Sequence, residues 1–478
     1  MHDGLSTVGP GGRFSAFGST VPGGEREADK VAGSGGRGGG ARGGRWWQGS
    51  TQALAAGVWA VTRTVVMLCV LRVVVLPGPD VTTDVSVIYQ GWSEVLKGGT
   101  YPLDDVTWQY PPAAALAVLS PGLLPFLGYT PAFFTLVLFT DAAVLALLLR
   151  AGSGRAGSGR PAGAWVWIAG VPLLGPTAYA RYDLMVVAVA VAALFAAARR
   201  PRLAGALAGF GALLKVWPVL LLTGAPLRGR RARALWSGAG GAAAGLTLAC
   251  VAAAPGALAF LAFQRDRGTE IESLGGLVFH LARPFGWDGT VLLRYGSVEF
   301  LGPGVPLVSA LALLLNGAAL GWLVLWRVRA RVTGDAVLCD AAFAATLLCT
   351  TTSRVISPQY LLWLVGLAAV CVTVRSSRQG LPALLVLLAA GLTLLEFPVG
   401  FAQVVAGDPR GVVPLALRNG LLAAASLIAC RRLWASTRAR PADRADVVRA
   451  RRTGPARPGP RLTEATRELP AGRPARRG

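Results

Sequence analysis

The sequence predicts an all-α, polytopic transmembrane helical bundle, and three observations carry that prediction. Hydrophobic residues make up 53% of the chain and charged residues only 15%, where a soluble chain carries about 25% charge. The apolar residues gather in runs of about 15–24, long enough to cross a ~30 Å hydrocarbon layer as helices. Arginine clusters punctuate the runs, as expected of connections held on one side of a membrane.

Taken in order, the apolar segments lie near 53–76, 112–128, 131–149, 164–180, 184–198, 203–224, 235–255, 304–326, 338–352, 359–374, 381–395 and 413–430. They give a bundle of about 10–12 segments over residues 51–432. Residues 77–111 form a first polar loop and residues 256–303 a long second one. The first 50 residues are rich in Gly, Ser and Arg without an apolar h-region, which reads as a disordered tail and not a signal peptide. Residues 433–478 read as a second disordered tail. Counted from Arg431, this end holds fourteen Arg against four acids. Such Arg keep both tails cytoplasmic and near anionic lipid, so the net charge of +23 reflects a multi-pass cell-membrane protein and no nucleic-acid partner.

The Arg clusters also count crossings. From Arg228 onward every second connection is basic, and the connections between are 256–303, 350–358 and 396–412. Before Arg228 the alternation fails twice, so two segments do not cross simply. The first candidate is the Pro-punctuated stretch 112–128, read as a short hairpin or re-entrant helix. The second is 203–224, where Lys215 and Pro218 mark the tip of two short helices. Non-helical backbone at membrane depth is tolerated only beside protein or a water-filled cavity, so both breaks point to a cavity. With this correction Asp84, Arg181-Tyr182-Asp183, Lys215, the 256–303 loop, Arg354, Ser357-Pro358-Gln359-Tyr360 and Glu396 share the outer face.

No CxxC pair occurs among the six cysteines, and His2 and His280 are the only histidines. Neither a disulfide framework, a zinc site nor a His-rich metal centre is expected, and no cofactor is indicated. His280 reads as a loop or packing residue rather than a base.

Outer-face carboxylates and cations suit transfer of a lipid-borne sugar. Such a reaction needs a carboxylate to take the attacking hydroxyl's proton. It also needs cations for the departing phosphate. The first loop packs Asp80, Asp84, Glu94, Asp104 and Asp105 with Tyr89, Trp92, Tyr101, Trp108 and Tyr110. Asp84 is the chosen base; its other reading is a solvated loop acid or helix cap. Lys215, one of three lysines and flanked by GFGALL and VWPVLLL, is assigned to the donor phosphate, with snorkelling as its alternative. Arg354 is a second phosphate ligand or an interfacial anchor. Tyr89, Tyr110, Arg181, Asp183, Gln359 and Tyr360 are the candidate substrate contacts, an internal Arg181–Asp183 ion pair being the other reading of those two.

The order Asp84…Tyr89, Gly98-Gly99, Tyr101-Pro102, Tyr110-Pro111-Pro112, then Lys215…Pro218 and Ser357-Pro358-Gln359-Tyr360 resembles glycosyltransferase family 87. That family belongs to the GT-C superfamily and includes actinobacterial polyprenyl-phosphate-mannose-dependent mannosyltransferases. The resemblance covers roughly residues 55–430. It implies an inverting enzyme with a GT-C-like bundle, an extracytoplasmic active site and an apolar groove for the polyprenyl donor. It also implies a catalytic Asp in the first outer loop, matched here by Asp84. The chain departs from the family pattern at Arg181-Tyr182-Asp183, where an amide-containing turn is expected. The expected function is sugar transfer, most simply of mannose, from a polyprenyl phosphate to a glycolipid or cell-envelope acceptor. A transporter or flippase of a lipid-linked saccharide is the rival, and a non-catalytic scaffold a third reading.

Overall fold

A computed structural model of the protein describes residues 39–153, 159–263 and 267–438. The expectations of disordered, cytoplasmic tails fall mainly on residues 1–38 and 439–478, outside the described residues. The chain divides into residues 1–49 and 50–478, and the second unit contains the helical bundle.

The architecture is an all-α membrane bundle. Its helices are α1 (Ser50–Val70), α2 (Gln90–Lys97), α3 (Ala114–Leu119), α4 (Tyr129–Gly152), α5 (Ala162–Gly170), α6 (Asp183–Ala196), α7 (Pro201–Leu214) and α8 (Arg230–Ala253). After these come the one-turn α9 (Phe260–Phe263), α10 (Leu274–Ala282), α11 (Val305–Arg329), α12 (Asp335–Thr351), α13 (Tyr360–Thr373), α14 (Gly380–Leu394), the short α15 (Phe401–Ala406) and α16 (Pro409–Arg438). Among the described residues six helices are long and apolar enough to span a membrane: α1, α4, α8, α11, α14 with its π-helical extension to Val399, and α16.

Helix α13 is apolar all round and buried on nearly every side, which is how a helix without a polar face must sit. It forms the axis of the core. Helices α8 and α11 lie at the periphery, with 11% of their apolar windows buried. Helix α8 runs beside α7 through glycines, because a methyl at Gly205 or Gly209 would stand 2.0 Å from the Leu235 carbonyl oxygen or 2.4 Å from that of Ala239. Small residues at such crossings let membrane helices approach closely.

The basic helix ends meet at one end of the bundle. The Arg160 amide donates to the Thr373 carbonyl and that of Arg331 to Thr437. The guanidinium of Arg231 reaches the Ala197 carbonyl and the Asp335 carboxylate, that of Arg327 the Ala225 carbonyl, and that of Arg432 the Arg378 carbonyl.

Both irregularities in the Arg alternation have a structural cause. Helix α3 and the 3-10 turn Ser120–Leu123 are too short to cross and sit in a Pro-bounded stretch. Helix α7 stops at Lys215, whose backbone is extended (φ −156°, ψ 139°), and a 3-10 segment, Trp217–Leu222, carries the chain back. Pro218 lacks the N–H that the Leu214 carbonyl would accept in a continuing helix. The Tyr182 hydroxyl donates to that carbonyl instead, at 3.2 Å. Segment 164–180, expected as a plain crossing, is also broken. A 3-10 stretch, Pro172–Ala178, comes after α5, with Gly175 at φ 58°.

The 256–303 loop folds into structure that the sequence reading did not contain. Helix α10 packs beside a three-stranded antiparallel sheet, β1 (Thr269–Glu270), β2 (Thr290–Arg294) and β3 (Ser297–Leu301), in the order β1-β3-β2. Its hairpin turns on Tyr295 (φ 52°) and Gly296 (φ 75°), the two positive dihedrals that a two-residue type I′ turn requires. Ile271, Phe279 and Phe300 form a small core with Val305, Val404 and Leu415. His280 is buried, its Nε2 lies 3.0 Å from the Ile271 carbonyl, and burial lowers its pKa to about 4. It is a packing residue, as expected.

Candidate active site

Charges buried inside the bundle need partners, and two clusters supply them away from the cavity that holds the candidate residues. In the first, Arg63 Nε lies 2.7 Å from Asp141 Oδ2, and Asp141 also accepts from the Trp59 and Trp167 indoles and the Tyr179 hydroxyl. This network ties α1, α4 and α5 together. The second joins Arg418 to Glu396 at 2.5 Å and, with Asn419, to the Glu272 carbonyl. It fixes the strand–helix junction of the 256–303 unit to α16.

At the end of the bundle opposite the basic clusters lies a cavity of about 680 Å³, within the range of small-molecule sites. The π-helical turn Asp84–Tyr89, the irregular segment 107–111, the Lys215 break, Arg267, the Tyr295-Gly296 turn, α11, α12 and the Ser357–Tyr360 connector all supply its wall. Besides its polar residues, the wall includes Val216, Val219, Leu220, Leu261 and Leu320.

Asp84, Lys215, Tyr89, Tyr110, Gln359 and Tyr360 line this cavity, so the structure brings together six sequence candidates from four segments. Asp84 opens the π-helical turn and pairs with Arg181 Nη2 at 2.5 Å, its side chain 30% exposed. Lys215 Nζ lies 2.8 Å from each oxygen of Asp183, which also accepts from the Trp363 indole at 2.5 Å. The ammonium sits 5.1–5.4 Å from the ring centres of Tyr110, Tyr182 and Trp363, an aromatic box of the cation–π kind. Burial raises the phenol pKa values of Tyr89 and Tyr110, so both stay neutral.

Three candidates are placed elsewhere. Asp183 is fully buried beneath Lys215 and does not line the cavity. A carboxylate in that apolar setting must be neutralised, and Lys215 does this. The partner expected for it, Arg181, turns to Asp84 and to the Val81 and Ala180 carbonyls instead. Arg181 does not line the cavity either, and both residues are engaged in ion pairs. Arg354 is also absent from the wall. Its carbonyl accepts from the Glu270 amide as part of the α12–α13 connector.

The sequence reading missed two residues. Arg267 lines the cavity, its Nη2 donating to the Ser297 hydroxyl at 2.8 Å and its Nε 4.0 Å from Glu299. Glu270 is buried and accepts from the Ile356 amide at 2.6 Å and the Ser357 hydroxyl at 3.0 Å. Burial, reinforced by Glu272, raises its pKa to about 8. It anchors the connector that carries Gln359 and Tyr360 into the wall. Both residues stand in a polar loop, where charges are unremarkable. The only signal was an acid-and-Arg cluster, RDRGTEIES, on the predicted outer face.

Residues 108–358 match glycosyltransferase family 87, just over half of the chain. The chain belongs to glycosyltransferase family 87. A comparison with curated proteins finds no match. As a family 87 member the protein is a membrane glycosyltransferase, with a sugar donor and an acceptor as substrates and membrane lipid around it. Lys215, Arg267, Arg354 and Ser357 fall inside the matched stretch, whereas Asp84 and Tyr89 precede it and Gln359 and Tyr360 come after it.

Proposed function

We propose that the protein transfers a sugar, mannose foremost, from a polyprenyl phosphate to a glycolipid or cell-envelope acceptor, with inversion. The observation that carries this reading is one cavity lined by a carboxylate, two cations and apolar side chains: Asp84, Lys215 and Arg267, with Val219, Leu220 and Leu320. The charged side chains suit a sugar phosphate and the apolar ones the first isoprene units. The acceptor hydroxyl oxygen attacks the anomeric carbon from the side opposite the phosphate. As the new glycosidic bond forms, the old carbon–oxygen bond breaks and its electron pair leaves with the polyprenyl phosphate. The hydroxyl proton passes to Asp84. The cationic side of the cavity meets the negative charge growing on the phosphate. Tyr89, Tyr110, Gln359 and Tyr360 offer rings and hydrogen-bonding groups to the sugars. The Arg-rich helix ends lie away from the cavity, and the positive-inside bias supports an extracytoplasmic site with both tails in the cytoplasm.

The test is sugar transfer by purified protein in lipid, offered radiolabelled polyprenyl-phosphate mannose and other polyprenyl-phosphate sugars with a glycolipid extract. Labelled glycolipid supports the reading. Movement of intact lipid-linked saccharide across vesicles without any transfer would favour the transporter.

A further inference from the structure

Among the described residues, three charged side chains line the cavity: Asp84, Lys215 and Arg267. Two are balanced at close range. Asp84 is 2.5 Å from Arg181. Lys215 gives one hydrogen bond to each oxygen of Asp183, both at 2.8 Å, and its remaining surroundings are ring faces. A phosphate approaching Lys215 meets a neutral pair whose negative end is rigidly buried, so it gains little net attraction.

Arg267 is held differently. Its Nη2 is anchored by a neutral hydroxyl, Ser297 Oγ, and among the described residues its carboxylate neighbour Glu299 approaches only to 4.0 Å of its Nε. That carboxylate is itself engaged, Oε2 accepting from the Gly268 amide at 3.0 Å. The adjacent acid, Glu270, has its pKa raised by burial to about 8 and so adds little negative charge near neutrality. The residue is also aimed: Thr269 pairs with Phe300, and Glu270 with Glu299, across β1 and β3. Glu270 in turn grips Ile356 and Ser357. A guanidinium keeps its charge at all relevant pH and offers a planar fork that matches phosphate oxygens.

We propose that Arg267, and not Lys215, is the ligand of the donor's phosphate, with Lys215 serving as the buried counter-ion of Asp183. This assignment rests on the polyprenyl-phosphate reading above.

The experiment compares equilibrium binding of farnesyl phosphate and of farnesol to wild type, Arg267→Gln, Arg267→Lys and the paired variant Lys215→Met/Asp183→Asn in detergent. The wild type is expected to prefer the phosphate to the alcohol by about tenfold or more, the scale of a charge-assisted hydrogen bond. Arg267→Gln should lose that preference, Arg267→Lys should keep a fraction of it, and the paired variant should keep most of it. Farnesol affinity should hold throughout. A preference retained in Arg267→Gln but lost in the paired variant overturns the assignment and returns the phosphate to Lys215. If Arg267→Gln does not fold, unchanged phosphate affinity in Arg267→Lys overturns it, since a lysine cannot reproduce the fork. A wild type that does not distinguish phosphate from alcohol overturns the polyprenyl-phosphate reading as well.

Discussion

Replacing Lys215 by methionine should destabilise the protein far more than removing a surface charge would. The Lys215 side chain is 10% exposed and that of Asp183 fully buried. Methionine fills much of the lysine stem but leaves the Asp183 carboxylate with the Trp363 indole as its donor. Breaking a buried pair from one side costs about 3–5 kcal/mol. In Lys215→Met/Asp183→Asn no charge is left behind, and the asparagine oxygen still accepts from Trp363. That variant should lie within about 1 kcal/mol of wild type, since apolar or neutral replacements of buried pairs are often tolerated. Asp183→Asn alone should fall between the two, because its orphaned ammonium lines the cavity and can hydrate. The assay is unfolding in mixed micelles of rising SDS fraction, tracked by tryptophan fluorescence, for the full double-mutant cycle. A Lys215→Met protein as stable as wild type would refute the reasoning. So would a paired variant as damaged as the single one.

Two more outcomes are set by the same geometry. Glu270 binds its proton more tightly when folded (pKa about 8, against 4.5 for the free side chain), so stability falls as pH rises through that window. Arg267, Glu272, Glu396 and Tyr360 are the ionisable groups around it. Glu270→Gln should flatten the fall in Tm between pH 5 and 8, leaving the part due to Glu272; an unchanged slope would deny Glu270 its raised pKa. At the α7–α8 crossing, Gly205→Ala places a methyl 2.0 Å from a backbone oxygen and should cost about 1–3 kcal/mol by forcing the helices apart. Wild-type thermal stability in that variant would show that the helices are not so close.

Much of this molecule was legible in its sequence because the bilayer simplifies the code. Apolar runs fix the helices, and Arg clusters fix which ends belong together. Counting the clusters located two of the three breaks from sequence alone; the one within 164–180 left no mark on the count. At 203–224 the reason is local: Pro218 removes a helical donor beside a lysine that cannot remain in hydrocarbon unpaired. The partners of that lysine were not legible. Asp183 and Arg181 are adjacent enough to suggest a mutual pair, yet the chain folds so that each takes a partner far away in sequence, Lys215 and Asp84. Arg63 and Asp141 each stand alone within an apolar run, and an ionisable residue there is a signal by default; only their pairing needed the fold. The small sheet was hidden for another reason. β1 has two residues and β2 is mostly exposed, so no run of alternation is long enough to announce it. Arg267 and Glu270 gain their importance from that sheet, which is why they were overlooked.

The central claim is that Asp84 takes the acceptor's proton in a sugar transfer. Its most direct test is the turnover of Asp84→Asn against wild type, with donor affinity measured on the same preparations. Asparagine is close to the same size and can still face Arg181, but it cannot accept the proton. Transfer should drop by about 10²–10⁴-fold, the usual contribution of general-base catalysis, while donor binding is retained. An Asp84→Asn enzyme that transfers sugar at the wild-type rate would contradict the account.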